Sequence, residues 1–165
     1  MTHKKQEGCI YVLWHTHYNE VMAAIFLVSL RNAGLCARLV GLHGDRHPGR
    51  YGVTLVADIS LGEALQSREQ ILGIIAPCAP GIFDHSELDP RVAEFLAQAQ
   101  RQQAVFVAEE DDTGPHSPWP ANTLAVSPKT VSVLAAAQAL VERFRAGTEF
   151  PPGVGALPRG HLHWE

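Results

Sequence analysis

The chain has only three cysteines, Cys9, Cys36 and Cys78, and they are scattered through its 165 residues. They make neither a disulfide framework nor a CxxC zinc pattern, which points to a reducing, cytoplasmic setting. Charged residues are also few, at 18%, against 46% hydrophobic, and that balance excludes a disordered chain. The formal charge of −4, with no basic stripe interleaved with aromatics, argues against nucleic acid as a partner. No run approaches the roughly 18 apolar residues of a membrane span, so no membrane partner is expected. A basic start (His3, Lys4, Lys5) precedes an apolar run at residues 9–14 that is too short for a signal peptide. Internal repeats and low-complexity segments are missing too.

What is there, in unusual number, is histidine (nine residues) and one acidic cluster. Residues 104–108, Ala-Val-Phe-Val-Ala, have the length and β-branched content of a strand buried on both faces, as in a parallel sheet. Four carboxylates follow directly: Glu109, Glu110, Asp111 and Asp112. In open α/β sheets the carboxyl ends of strands line the ligand crevice. Four like charges there repel, so water, a cation, basic side chains or raised pKa values must compensate.

The remaining elements alternate. Residues 9–14 read as a first strand, ending in His15-Thr16-His17-Tyr18-Asn19-Glu20. Asn19 is an N-cap for a helix through Asn32 that Gly34 ends. Residues 35–41 make a second strand, closing a βαβ unit. Residues 43–49 are a loop by composition, and residues 51–57 a short or edge strand. Ser60-Leu61-Gly62-Glu63 is a capping box opening a helix through Gln66. Residues 71–76 form a buried strand ending in the rigid turn 77–81. Asp89 and Pro90 start a helix to about Gln102 with Val92, Phe95, Leu96 and Ala99 on one face. Residues 122–126 form the last strand, and Ser127-Pro128 caps a final helix to about Ala146. The domain spans 1–147. A Pro/Gly-rich tail, 148–165, follows, and its Trp164 suggests that it docks somewhere. The pattern predicts a flavodoxin-like three-layer α/β/α sandwich with a mostly parallel sheet.

Several segments, in order, resemble the ThiJ/PfpI family of the class I glutamine-amidotransferase-like superfamily. Leu30-Arg31-Asn32-Ala33-Gly34 followed by Ala37-Arg38-Leu39-Val40-Gly41 resembles that family's helix end "LRxAG" entering strand two. Gly52-Val53-Thr54 with Ala57-Asp58-Ile59-Ser60-Leu61 resembles its "G-V-x-x-x-x-D-x-x-L" segment. Residues 71–81 stand where the family has a strand ending in "PGG", and residues 124–144 resemble its last strand and helix. The resemblance implies a fold, and a family of deglycase or glyoxalase-like enzymes, peptidases, chaperones, stress proteins and ligand-sensing domains, commonly homodimeric. It also implies an elbow cysteine, which here falls at Glu109. The partner glutamate falls near Met22, with Glu20 shortly before it. The oxyanion-hole glycines align with Cys78 and Ala79. The family's thiol chemistry therefore does not carry over.

Three chemistries are open to the strand-end residues. A divalent metal could be held by His15 and His17, on one side of an extended strand end, with Asp111 or Glu109 and with His85 nearby. Cys78 could be a surrogate nucleophile. Glu109 with Glu20 could act in acid–base catalysis, Glu109 being strained in an elbow position. Cys9 and Cys36 read as core. Trp14, Ala79, Glu110, Asp112 and His116 are the expected ligand contacts; core packing is the default reading of Trp14 and Trp119, with Trp119 otherwise a lid or dimer contact. The expectation favoured is a catalytically divergent protein binding a small polar ligand or a metal. Its rivals are a metal- or Glu-dependent hydrolase or glyoxalase-type enzyme and a structural or stress-response subunit.

Overall fold

In the computed structural model the described residues are 7–79, 89–110 and 119–147. The strands are β1 (Cys9–Trp14), β2 (Ala37–Gly41), β3 (Arg46–Pro48), β4 (Thr54–Val56), β5 (Ile59–Ser60), β6 (Ile71–Ala76), β7 (Val105–Glu109) and β8 (Leu124–Val126). The helices are α1 (Glu20–Asn32), α2 (Leu61–Gln66), α3 (Pro90–Arg101) and α4 (Thr130–Arg145). Six strands form one sheet in the order β5-β2-β1-β6-β7-β8, every neighbouring pair parallel. Helices α1 and α4 pack together, as do α2 and α3, which gives the three layers expected.

Strand β1 lies inside the sheet, and every one of its side chains is buried. The continuous apolar runs of β1 and β6 are what a strand covered on both faces requires. Tyr11 meets Phe95 of α3 edge to face, with ring centroids 5.4 Å apart. The chain runs from β1 to β2 on one side and later returns to β6 on the other. The crevice of the fold therefore opens between the carboxyl ends of β1 and β6.

Local capping chemistry sets most helix boundaries. Asn19 accepts from the Met22 N–H, Ser60 and Glu63 complete their capping box, and Asp89 caps a helix with proline at its start. The final helix begins at Thr130, two residues beyond the expected Ser127-Pro128 cap, and has no side-chain cap.

Two expectations are corrected. Residues 43–49 are not all loop, and residues 51–57 do not join the main sheet. Arg46–Pro48 and Thr54–Val56 pair with each other as an antiparallel hairpin beside it. Polar composition hid β3, whose residues are mostly exposed. Cys9 and Cys36, read as separate core thiols, form a disulfide with a Cα–Cα distance of 4.6 Å. Parallel pairing is the cause: Ile10 is registered with Ala37, so the preceding residues also lie side by side. That proximity is invisible from a spacing of 27 residues. Among the described residues no helix is long and apolar enough to cross a membrane.

A cross-link closing a loop of this length stabilises a domain by about 3 kcal/mol in the chain-entropy account. Urea denaturation with and without reductant should differ by about that much, and Cys36→Ser should remove the difference.

Candidate functional site

The site is built on the ends of β1, β6 and β7. After Trp14 the chain turns, and the Asn19 N–H donates to the Pro77 carbonyl at 2.7 Å, tying the end of β1 to the end of β6. Glu109, the last residue of β7, donates its N–H to the Cys78 carbonyl at 3.2 Å. Its carboxylate is 5% exposed and has two partners. Arg50 Nη2 lies 2.9 Å from Oε1, and Asn19 Nδ2 donates to Oε2 at 3.2 Å. A buried carboxylate needs such partners, because burial without them is costly. Asn19 thus uses both ends of its amide, one for the helix cap and one for Glu109.

Arg50 is placed by the hairpin turn. Its N–H donates to the Tyr18 carbonyl at 2.8 Å. Glu20 grips the same turn, its Oε1 accepting from the Tyr51 N–H at 2.8 Å and the Val53 N–H at 3.2 Å. Gly49 is the close approach that permits this, since a Cβ there would collide with the Glu20 carboxylate. Burial pushes the Glu20 carboxyl up, but the converging backbone N–H groups outweigh it and hold it below the ordinary value. That is the opposite of what a general acid at neutral pH needs.

Cys78 is fully buried. Burial pushes its thiol up to about 12; the Tyr18 hydrogen bond and the Arg50 charge pull the other way, and the Glu109 charge adds to the rise. A thiol in that state is a poor nucleophile. Glu109 is a regular strand residue paired with Val126 and has no positive φ, so the strained elbow expected there does not form.

The histidines form a separate group beside this site. His15 and His47 rings lie 5.1 Å apart and nearly parallel, and His15 and His43 are 6.3 Å apart. Thr16 Oγ1 is 2.9 Å from His47 Nδ1, and Trp14 Nε1 donates to the His47 carbonyl at 3.2 Å. The expected H-x-H geometry is absent, because β1 stops at Trp14 and His17 adopts a left-handed conformation at φ 67. Among the described residues no three ligand atoms from these histidines and the carboxylates gather within 4.8 Å. Trp14 is buried, Ala79 half-buried and Glu110 exposed. His85, Asp111, Asp112 and His116 lie outside the described residues, as does the tail with Trp164. Trp119 is buried against Phe106, with ring centroids 6.0 Å apart.

Arg50 is the residue that sequence reasoning missed. A signal was available: basic side chains were one of the compensations open to the four carboxylates, and an arginine follows Pro48-Gly49.

A parallel α/β sandwich with polar side chains gathered at its topological switch point is a flavodoxin-like protein. No protein-family model matches the chain, and no curated protein does. Solved structures do. A DJ-1 superfamily protein of Salmonella typhimurium is 17% identical with a TM-score of 0.66, covering 84% of this chain and 91% of that one. Drosophila melanogaster DJ-1beta is 14% identical with a TM-score of 0.64, covering 86% and 92%. A ThiJ/PfpI domain protein of Brachyspira murdochii is 13% identical with a TM-score of 0.60, covering 86% and 98%. Within the flavodoxin-like class, the chain has the fold of the DJ-1/ThiJ/PfpI superfamily. At these identities the likeness concerns the fold, and the site must be argued from its own residues.

Two measurements test the site. Arg50→Met leaves the buried Glu109 carboxylate without its cation and should destabilise the chain by about 3–5 kcal/mol in urea, with Glu109→Gln on the same background restoring part of it. The second concerns His15, which burial first and then the His47, His43 and His17 imidazoles hold below its ordinary 6.5, against an opposing backbone hydrogen bond at Thr16. The unfolded chain therefore binds more protons at this position between the lowered folded value and about 6.5. This contribution to stability is complete above about pH 6.5 and is lost as pH falls through the lowered folded value. The melting temperature should drop on acidification through that window, and His15→Asn should flatten the drop.

Proposed function

We propose that this chain is a catalytically divergent DJ-1/ThiJ/PfpI-fold protein that binds a small polar ligand at the carboxyl ends of β1, β6 and β7 without thiol chemistry. The observation that carries this reading is the Arg50–Glu109–Asn19 cluster, at the position where the sequence resemblance expects a nucleophile. Glu109 is committed to an ion pair and a hydrogen bond. Cys78, the nearest thiol, is buried and held at about 12. The Arg50 side chain remains 29% exposed, and a guanidinium there suits a ligand rich in acceptor oxygens.

We further propose a homodimer, residing in the cytoplasm. Support for the dimer comes from an apolar strip on α1 and the hairpin, where Val28, Val53 and Val56 are half to two-thirds exposed. A groove of about 220 Å³ lies between Val28 and Val56, bounded by Leu27, Leu39, Leu55 and Arg31.

Thermal-shift measurements against small carboxylates, sugar phosphates and amino acids should find compounds that stabilise the wild type and fail to stabilise Arg50→Lys. Consumption of methylglyoxal by the purified chain, lost in Cys78→Ser or Glu109→Gln, would overturn the non-catalytic reading. Light scattering should give twice the chain mass, reduced to the chain mass by Val28→Glu.

A further inference from the structure

At the opposite end of the sheet from Glu109 lies a second group of ligating side chains. Cys9 opens β1, Cys36 immediately precedes β2, and Glu69 sits in the segment between α2 and β6. One ligand atom from each, two sulfurs and a carboxylate oxygen, all lie within 4.8 Å of one another. The backbone fixes the three positions. The Ile10 N–H donates to the Cys36 carbonyl at 2.9 Å, and the Cys9 N–H donates to the Gln70 carbonyl, next to Glu69, also at 2.9 Å. The group runs from core to solvent: Cys9 is buried, Cys36 half-buried and Glu69 exposed. Arg38 pairs with the Glu69 carboxylate, with Nη1 3.2 Å from Oε2 and Nη2 3.3 Å from Oε1. Each carboxylate oxygen keeps a second lone pair.

Arg38 already offsets the Glu69 charge, and what marks the group is the proximity of its three ligand atoms. Two thiolates and one carboxylate with an open fourth position form a ligand set for a zinc-class ion. We propose that the reduced chain binds a thiophilic divalent cation through Cys9, Cys36 and Glu69, with water in the fourth position, and that disulfide formation releases it.

The chemistry balances with a small-molecule thiol as reductant. Its thiolate attacks the half-buried Cys36 sulfur, the S–S bond breaks, and Cys9 leaves as thiolate and takes a proton. A second thiol attacks the mixed disulfide, releasing Cys36 as a thiol and the reductant as its own disulfide. The cation then displaces one proton from each cysteine, two in all. A hydroperoxide reverses the step: two thiolates give up two electrons to form the S–S bond, the peroxide takes these with two protons from solvent and is reduced to water and the alcohol or a second water, and the cation departs. This group shares no residue with the strand-end site, so it stands or falls independently of the ligand-binding reading.

The test uses the full chain, reduced with dithiothreitol, desalted without oxygen and titrated with Co²⁺. The expected result is a near-ultraviolet thiolate-to-cobalt charge-transfer band with tetrahedral visible bands, saturating near one equivalent and bleached by Zn²⁺. Hydrogen peroxide should abolish the bands as the disulfide forms, and the unreduced chain should show none. Cys36→Ser should lose most of the charge-transfer intensity. Glu69→Gln, a surface change that leaves the fold intact, should weaken Co²⁺ binding about tenfold or more. Cys78→Ser should leave the titration unchanged. Absence of the band in the reduced wild type, its persistence in Cys36→Ser, its loss in Cys78→Ser, or full affinity in Glu69→Gln would each overturn the assignment.

Discussion

A carboxylate at the end of a strand buried on both faces has lost most of its water, and the structure around Glu109 is arranged to replace it. The replacement is drawn from three parts of the chain. Arg50 comes from the hairpin turn, Asn19 from the cap of α1, and the Cys78 carbonyl, at the end of β6, anchors the Glu109 N–H. Each donor is itself held by something else. Glu20 pins the turn that carries Arg50, and the Pro77 carbonyl pins Asn19. Moving any one of them leaves a buried ionised group with fewer partners, which is the costly direction for such an arrangement. The hairpin, marginal on its own at two short strands, is thereby fastened to the sheet by electrostatics as well as by packing.

The same arrangement limits the chemistry. A nucleophile or base must be available to a substrate, and Glu109 already spends one oxygen on a guanidinium and the other on an amide. The neighbouring thiol is hampered by burial first, and the Glu109 charge adds to that. Glu20, the second carboxylate of the expected pair, serves the backbone of the turn. The residues that could have run catalysis are therefore the ones that hold the crevice together. Arg50, whose side chain keeps 29% of its exposure, is the charged member of the cluster that solvent still reaches.

The fold was readable in the sequence because its signals are local and repeated. Continuous apolar runs marked β1, β6 and β7, i, i+3, i+4 spacing marked α3, and side-chain caps marked the starts of α1, α2 and α3. The flavodoxin-like class with a mostly parallel sheet followed from alternation. What escaped were the features that depend on two distant segments meeting. The β3–β4 hairpin has little apolar content, because one of its faces is solvated. The Arg50–Glu109 pair spans elements that periodicity treats separately. Cys9 and Cys36 become neighbours only through parallel register. Four consecutive carboxylates announced that water, a cation, basic side chains or raised pKa values had to compensate, and nothing local in the sequence chose Arg50 among these.

The disulfide revises more than one residue pair. Reading three scattered cysteines as a reducing-compartment signature treats cysteine count as if it fixed redox state, whereas proximity and environment decide it. Here the three thiols divide by surroundings. Cys78 is enclosed, and burial, with the Glu109 charge, keeps it neutral against the pull of Tyr18 and Arg50. Cys9 and Cys36 touch each other at the solvent-facing end of the sheet, next to a carboxylate. The apolar, buried length of β1 separates that cross-link from the strand ends around Glu109. In a parallel sheet the two ends of the strands are chemically independent, so a redox- and metal-responsive end and a ligand-binding end can coexist on one small domain.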